Sequence, residues 1–297
     1  MKRPQWRKVV IAGVGLMGGS LGLAIKRAKL ARLVTGLARR PATLRQAKRL
    51  GCLDQGTLDP RQAAGADLVV LAGPVSSMPG LLASLAPHLP AGCLVTDVGS
   101  TKTWLCSQVK ALLKRQGLVF IGSHPMAGSE KAGVSASRAD LYDQSLCLLV
   151  PPAAGAVPAA RLGRLRAFWR AVGCGRVLTV SPAVHDRLTA AASHVPHVAA
   201  VSLVNALAEE AGRDPRVLDV AASGFRDTTR IAASLPGMWA DILLTNRTEV
   251  GVRLQRLAGR LLRFRRLLIA GQRPAVLKEL ERARAARLDL EPRHGKR

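Results

Sequence analysis

Short apolar runs rich in β-branched residues alternate along the chain with longer stretches whose apolar positions recur every three or four residues. The first run, Lys8 to Ala12, has the character of a buried parallel strand, and the helical spacing after it predicts a helix from Ser20 to Leu30. Further apolar runs follow at residues 33–37, 68–71, 94–98, 118–121 and 146–150. This alternation predicts an α/β domain with a doubly wound, mostly parallel sheet.

The second half of the chain has a different pattern. The segment PPAAGAVPAA at residues 151–160 has the composition of a linker, but a helix over residues 161–172 and a strand over 176–180 are predicted after it. From Pro182, which suits a first helical turn, the apolar residues keep helical spacing. We therefore predict an α/β domain at residues 1–180 followed by an all-α domain at residues 181–297.

Composition narrows the class of protein. A chain of 297 residues is long enough for two domains. The five cysteines are scattered, with no CxxC pair, so neither a disulfide framework nor a metal site is predicted. No apolar run approaches the roughly 20 residues that span a bilayer, and the N-terminus leads directly into the first strand. The sequence therefore predicts a cytoplasmic protein that does not bind membranes.

The net charge of +26 would suit a nucleic-acid binder, but its distribution argues against one. Lysine and arginine are spread along the chain, and aromatic residues make up only 3%, too few for stacking against bases. We expect no nucleic-acid partner. A positive surface would speed the capture of small anionic substrates.

The turn after the first predicted strand reads GVGLMG and matches GxGxxG. Its position between a strand and a helix is that of the Rossmann dinucleotide-binding fingerprint, in which glycines permit a tight turn and close approach of the pyrophosphate. Free N–H groups at the start of the helix would hold the anion. The predicted cofactor-binding residues of this turn are Gly13, Gly15, Leu16, Met17 and Gly18.

The end of the second predicted strand bears on the choice of cofactor. Enzymes that use NAD usually place an acidic residue there, whereas this chain has Arg39 and Arg40. Two guanidinium groups can bind a phosphate, so NADP is predicted, with NAD as the alternative. Both arginines could instead be solvated, or one could stack on adenine.

Two polar motifs follow later strands. Ser100 lies in TDVGSTK and His124 in GSHPMAGSE. Ligands bind to an open α/β sheet at the carboxyl ends of its strands, so both side chains are expected at that crevice. A neutral imidazole can accept a proton near physiological pH, which makes His124 the candidate general base.

These motifs, together with SHVPHVAA and GFRDTTRIAASLPGMWADI, resemble the prephenate/arogenate dehydrogenase family over nearly the whole chain. The resemblance implies oxidative decarboxylation of prephenate or arogenate, with hydride transfer to NAD(P), giving 4-hydroxyphenylpyruvate or tyrosine. It also implies that Ser100 hydrogen-bonds His124 and the substrate hydroxyl, that Arg230 and His197 bind substrate, and that Ser129 lines the pocket. A homodimer formed by residues beyond about 181 is expected, with the active site between the two domains.

Several alternatives stay open on the sequence alone. A β-hydroxyacid dehydrogenase would need a catalytic lysine, which the stretch near Asn205 does not offer. A non-catalytic dinucleotide-binding regulator is disfavoured by the presence of Ser100, His124 and Arg230. The choice between prephenate and arogenate is not made, although Glu130 could attract the ammonium group of arogenate. His194 is expected to pack the start of a helix and Asp227 to orient an arginine. His185 and Asp186 are expected to cap a helix or lie near the domain joint, and no catalytic role is assigned to them.

Overall fold

The structure is a computed structural model that describes residues 5–129, 131–152 and 157–290. The chain divides into two compact units, residues 1–249 and residues 250–297. The first unit contains both β-sheets and all the residues of the predicted site.

A six-stranded sheet forms the centre of the first unit. Its strands are β1 (Trp6–Ala12), β2 (Ala31–Leu37), β3 (Gln55–Thr57), β4 (Leu68–Leu71), β5 (Leu94–Asp97) and β6 (Val119–Phe120). They are ordered β3-β2-β1-β4-β5-β6, and every pairing is parallel. The strand order reverses between β1 and β4, and in such sheets the ligand crevice lies at that point. The predicted doubly wound Rossmann sheet is confirmed.

Five helices flank the strands of this part of the chain: α1 (Leu16–Arg27), α2 (Pro41–Arg49), α3 (Met78–Leu85), α4 (Thr103–Gln116) and α5 (Ala159–Val172). Successive side chains of a strand point to opposite faces of the sheet. Val9 and Ile11 therefore pack in one apolar cluster with residues of α1, α2 and α5. Val10 and Ala12 pack in a second cluster with residues of α3 and α4. Both faces of the sheet are thus covered.

A second, three-stranded sheet was not predicted as a separate element. It contains β7 (Gly122–Pro125), β8 (Leu146–Val150) and β9 (Arg176–Thr179). β7 and β8 are antiparallel, whereas β8 and β9 are parallel. The sequence GSHP of β7 lacks a strand-like pattern. Its first residue, Gly122, packs closely against Lys102, because a Cβ on Gly122 would lie 2.9 Å from Cδ of Lys102.

From Pro182 to residue 290 the described chain contains helices and no strand, as predicted. In the first unit these are α6 (Pro182–Thr189), a π-helical turn (Ala190–His194), α7 (Val195–Ala211), α8 (Ser223–Thr229) and α9 (Pro236–Thr245). The helix α10 (Arg247–Ile269) begins at the end of the first unit, and α11 (Arg273–Leu288) lies in the second. The domain boundary near residue 181 stays a prediction.

One helical run differs from the sequence-based expectation about membranes. Pro182–Ala211 is long enough, with a mean hydropathy of 1.2, to cross a membrane by length and composition. The helix of a soluble protein's core can pass the same test. Four of the buried polar side chains in this run belong to the site described below: His185, Asp186, His194 and His197.

Candidate active site

The glycine turn leaves room for a ligand at one of its three glycines. Gly13 has a φ of 105°, and a Cβ there would lie 2.7 Å from backbone atoms of Ala72. A Cβ on Gly18 would overlap the carbonyl oxygen of Gly13. A Cβ on Gly15, in contrast, would have no heavy atom within 4 Å. The first and third glycines are therefore required by packing, and the second borders open space.

The start of α1 is suited to an anion. The helix begins at Leu16, so the N–H groups of its first turn have no partner within the helix. Gly15 at the N-cap position offers no side chain to these donors, and the first turn contains no acidic residue. The pyrophosphate of a dinucleotide fits this combination of free N–H donors, open space at Gly15 and the helix dipole.

Arg39 and Arg40 follow β2 after one intervening residue, Ala38, and both side chains are exposed. Arg40 precedes α2, which begins at Pro41. No carboxylate stands at residues 38–40 to repel a phosphate group. Whether the two arginines bind such a phosphate stays a prediction.

His124 lies in β7, where only 8% of the residue is exposed. Its Nδ1 is 2.9 Å from Nε2 of His185, and Nδ1 of His185 is 2.8 Å from Oδ1 of Asp186. The three side chains therefore form a continuous hydrogen-bonded chain. His185 and Asp186 belong to α6, so this chain joins the second sheet to the helical part of the first unit.

The N-terminus of α4 holds Asp186 in its ionised form. Its carboxylate accepts hydrogen bonds from the backbone N–H groups of Lys102, at 2.8 Å, and Thr103, at 2.9 Å. Burial raises the pKa of Asp186, but the hydrogen bonds from His185, Thr103 and Lys102 outweigh that effect and hold the pKa below its ordinary value. A carboxylate can only accept, so Nδ1 of His185 must carry the proton of the bond between them.

This proton assignment fixes the tautomer of His124. Burial lowers the pKa of His185, against the opposing effect of its hydrogen bond to Asp186. A neutral His185 with its proton on Nδ1 has a lone pair on Nε2, so Nδ1 of His124 must donate to it. Nε2 of His124 is then left as a hydrogen-bond acceptor. Burial, followed by the charges of His185, Lys102 and His194, lowers the pKa of His124 well below its ordinary value.

A buried ion pair supports this arrangement. Nζ of Lys102 lies 2.8 Å from Oδ2 of Asp97 and 2.6 Å from the carbonyl oxygen of Gly99, and neither charged side chain is exposed. The other carboxylate oxygen of Asp97 accepts a hydrogen bond from the backbone N–H of Ser123, at 3.0 Å. Asp97 therefore connects Lys102, in the loop after β5, with Ser123, the residue before His124.

The hydrogen bond between Ser100 and His124 stays a prediction, and Nε2 is the ring nitrogen left for it. The partner of His124 at Nδ1 is His185, so that ring nitrogen is already occupied. Ser100 is half-buried in the loop between β5 and α4, and its contact with a substrate hydroxyl stays a prediction. Ser129 is exposed, and its hydroxyl accepts a hydrogen bond from N–H of Lys131 at 3.0 Å. Glu130 lies outside the described residues.

Two more histidines of the helical part are buried near this chain. The side-chain amide of Asn246 donates to the carbonyl oxygen of Asp186, at 2.9 Å, and is 3.1 Å from Nδ1 of His194. The ring of His197 stacks on Trp239 with centroids 3.5 Å apart and planes 5° apart. His194, His197 and Trp239 each have a buried nitrogen without a hydrogen-bond partner among the described residues.

Arg230 is exposed and lies at the end of α8. It borders a cavity of about 550 Å³ whose lining is otherwise formed by Val204, Arg226, Asp227, Thr229, Ala232 and Ala233. Asp227 lines the same cavity as Arg230, and its role in orienting an arginine stays a prediction. That Arg230 and His124 face the same cleft stays a prediction.

Sequence reasoning missed part of this constellation. His185 and Asp186 were assigned no chemistry, and Lys102 and Asn246 were not singled out. Their partners lie far away in the chain, so only the fold brings them together. In the described part of the chain, no group of three or more His, Cys, Asp or Glu residues could hold a metal ion.

The parallel sheet, its strand order and the glycine turn at α1 define a dinucleotide-binding protein of the Rossmann class. Sequence comparison is more specific. Residues 21–178 match the family model described as the prephenate dehydrogenase nucleotide-binding domain, and residues 181–282 match the prephenate dehydrogenase dimerization domain. The chain belongs to the prephenate dehydrogenase family.

Individual relatives agree with this assignment. A prephenate dehydrogenase of Bacillus subtilis is 34% identical over 82% of this chain. The match covers 65% of the length of that enzyme. A cyclohexadienyl dehydrogenase of Zymomonas mobilis is 31% identical, covering 97% of this chain and 98% of the relative. The crystal structure of prephenate dehydrogenase from A. aeolicus, with hydroxyphenyl propionate and NAD+, is 30% identical, with a TM-score of 0.88 over 96% of this chain and 98% of that one.

Proposed function

We propose that this protein catalyses the oxidative decarboxylation of prephenate or arogenate, with hydride transfer to a nicotinamide dinucleotide. One observation carries the proposal. The buried chain from Asp186 through His185 leaves Nε2 of His124 as a neutral acceptor, which is what a general base for a hydroxyl group requires. Family membership and the anion-binding start of α1 support the same reaction.

The residues of this chain would remove the substrate proton and stabilise the positive charge that results. His124 accepts the proton of the substrate hydroxyl at Nε2, while a nicotinamide ring, when bound, supplies the hydride acceptor. As His124 becomes positively charged, its Nδ1–H bond to His185 strengthens, and Asp186 stabilises the charge through His185. The carbonyl formed on the substrate ring withdraws electrons, so carbon dioxide leaves and the ring becomes aromatic.

The roles at the substrate remain those predicted from the sequence. Arg230 can bind a carboxylate bidentately, and its position at the edge of the 550 Å³ cavity suits a ligand of this size. His197, buried against Trp239, is proposed to bind substrate, and Ser100 to contact its hydroxyl. Ser129 is proposed to line the entrance, since its side chain is exposed.

A nicotinamide dinucleotide is the proposed cofactor, and NADP is the proposed form. The support for NADP is the exposed pair Arg39 and Arg40 at the end of β2, where an acidic residue would select NAD. Replacing both arginines by glutamine should weaken NADP much more than NAD. Equal loss for the two cofactors would show that these side chains do not bind the additional phosphate.

We also propose a cytoplasmic homodimer. In the second unit, α10 and α11 expose many large apolar side chains, which a partner subunit would cover: Leu261, Leu262, Leu268, Ile269, Leu277, Leu280 and Leu288. The match to a family dimerization domain over residues 181–282 supports the twofold arrangement. A monomer in sedimentation equilibrium at micromolar concentration would contradict it.

The decisive experiment crosses both substrates with both cofactors and follows nicotinamide reduction. Wild-type protein should reduce NADP with at least one of the two substrates, and carbon dioxide should be released in equal amount. In the same assay His124→Asn should lower kcat on the order of 100-fold or more, because the general base is lost, while cofactor binding is unchanged. Absence of turnover in every wild-type combination would overturn the proposed function.

A further inference from the structure

Asn246 determines which nitrogen of His194 carries a proton. The carbonyl oxygen of Asp186 can only accept, so the Asn246 side-chain atom 2.9 Å away must be its NH2 group. That same nitrogen lies 3.1 Å from Nδ1 of His194. Its second hydrogen therefore points to an acceptor, and Nδ1 of His194 is unprotonated.

The other ring nitrogen of His194 is consequently a donor. Burial lowers the pKa of His194 to about 4, so the ring is neutral at physiological pH and its single proton is on Nε2. Only 1% of the residue is exposed, and Nε2 has no hydrogen-bond partner within the described residues. Leaving a buried N–H unpaired costs about 1–3 kcal/mol, which a ligand with an acceptor oxygen would recover.

The surroundings of His194 connect this donor with the substrate site. His194 ends the π-helical turn, and turns of this kind occur often at functional sites. Its ring meets Trp239 edge to face, with centroids 6.2 Å apart, and Trp239 also stacks on His197. Nε1 of Trp239 is a second buried donor without a partner in the described chain.

We propose that His194 is a substrate-binding residue, which donates its Nε2–H to an oxygen of the bound ring substrate, most simply a carboxylate oxygen. This inference rests on the proposed function and extends it. Asp186 then sets opposite hydrogen-bonding roles for two histidines. Its carboxylate, through His185, makes Nε2 of His124 an acceptor. Its backbone oxygen, through Asn246, makes Nε2 of His194 a donor. This proposal adds a role to the sequence-based expectation that His194 packs the start of a helix.

Two substitutions at position 194 distinguish the proposed donor at Nε2 from the hydrogen bond that Nδ1 accepts from Asn246. In His194→Asn, the amide oxygen can still accept from Asn246 at the place of Nδ1, but nothing reaches the place of Nε2. In His194→Gln, the amide NH2 reaches the place of Nε2. The KM for the substrate should rise roughly tenfold in His194→Asn and by less than about threefold in His194→Gln, with kcat nearly unchanged in both. His88→Asn, in the half-buried turn after α3, is the matched control and should leave both constants unchanged.

The pH dependence distinguishes a neutral donor from a cationic one. A neutral N–H contributes equally at pH 6 and pH 9, so the rise in KM for His194→Asn should be the same at both values. A rise that disappears above pH 7 would mean that a protonated His194 binds the substrate, which contradicts the proposal.

NMR of the unaltered protein tests the proposal even if the His194 variants do not fold. In protein labelled with ¹⁵N-histidine, NMR should show His194 as the Nε2–H tautomer, and that proton should shift when 4-hydroxyphenylpyruvate is added. An Nδ1–H tautomer, or turnover by the wild-type protein together with a wild-type KM in His194→Asn, would overturn this inference alone. No turnover and no ligand binding by the wild-type protein would overturn the proposed function first.

Discussion

Asp186 makes hydrogen bonds with three parts of the site. Its carboxylate accepts from the start of α4 and from His185, and its backbone oxygen accepts from Asn246. Each of these groups has its hydrogen-bonding direction fixed by an atom that can only accept. A single residue thus sets the proton positions on His185, His124 and His194.

Asp186→Asn tests this assignment. An amide placed against the N–H groups of Lys102 and Thr103 would bring donor against donor, and its NH2 group could donate to Nδ1 of His185. His185 would then carry its proton on Nε2 and donate to His124, so Nε2 of His124 would no longer be an acceptor. We expect kcat to fall on the order of 100-fold or more with little change in cofactor affinity, as with other lost orienting carboxylates.

The control for this prediction is Asp219→Asn, the same change at an exposed aspartate. It should leave kcat within about twofold of the wild-type value, as expected for a surface position. If Asp186→Asn retained wild-type kcat across the pH range, the carboxylate would have no part in orienting the base.

At the residue level, the sequence made His124 the candidate base because it lies in a family motif after a strand. It did not identify the function of His185 and Asp186, although both were noted. His124 and His185 are separated by 61 positions, and Lys102 and Asp186 by 84. A hydrogen-bonded chain across such distances has no periodicity in the sequence, and its existence depends on the packing of α6 against β7 and α4.

Helix α1 begins earlier than predicted, and this affects how the glycine turn works. The apolar pattern predicted a start at Ser20, but Leu16, Met17 and Gly18 already form the first turn. The N–H groups of the motif are therefore those of the helix itself. Periodicity did not reveal this because glycines contribute nothing to an apolar pattern.

Two glycine substitutions in this element should behave differently. Gly15→Ala places a methyl group in open space at a φ of −100°, so the free energy of unfolding should change by less than about 1 kcal/mol. Its affinity for the dinucleotide should nevertheless fall at least tenfold, because the methyl group occupies the approach of the pyrophosphate. Gly18→Ala should lower both the free energy of unfolding and the affinity for the dinucleotide, because its methyl group would overlap the carbonyl oxygen of Gly13.

Urea unfolding and calorimetric titration of the cofactor measure the two effects independently. Gly163→Ala serves as the control, because a methyl group added at this position of α5 would have no heavy atom within 4 Å. Unchanged cofactor affinity in Gly15→Ala would show that the open space at this turn does not receive the dinucleotide.

For the whole molecule, the buried histidines predict sensitivity to acid. Burial lowers the pKa values of four histidines in the folded state: His124, His185, His194 and His197. The unfolded chain has histidine pKa values near 6.5 and binds protons more readily below that pH. The stability is therefore fully present above about pH 6.5 and is lost as the pH falls toward the folded-state values.

The free energy of unfolding should fall steeply from pH 7 to pH 5 and change little from pH 7 to pH 8. With a folded pKa of about 4, His194 alone should account for about 2 kcal/mol of the loss at pH 5. Urea midpoints at constant ionic strength and protein concentration would measure it. Equal midpoints at pH 5 and pH 7 would mean that these histidines are not neutral in the folded protein.

The double use of Asp186, as the cap of α4 and the partner of His185, has a consequence for how this protein can diversify. Any replacement there would damage a helix and the proton acceptor at once, so natural variation at that position should be rare. Arg226, Asp227 and Arg230 are exposed, in contrast to Asp186. New substrate preferences should therefore arise by changes around the cavity of α8, while the chemistry of proton removal is inherited unaltered.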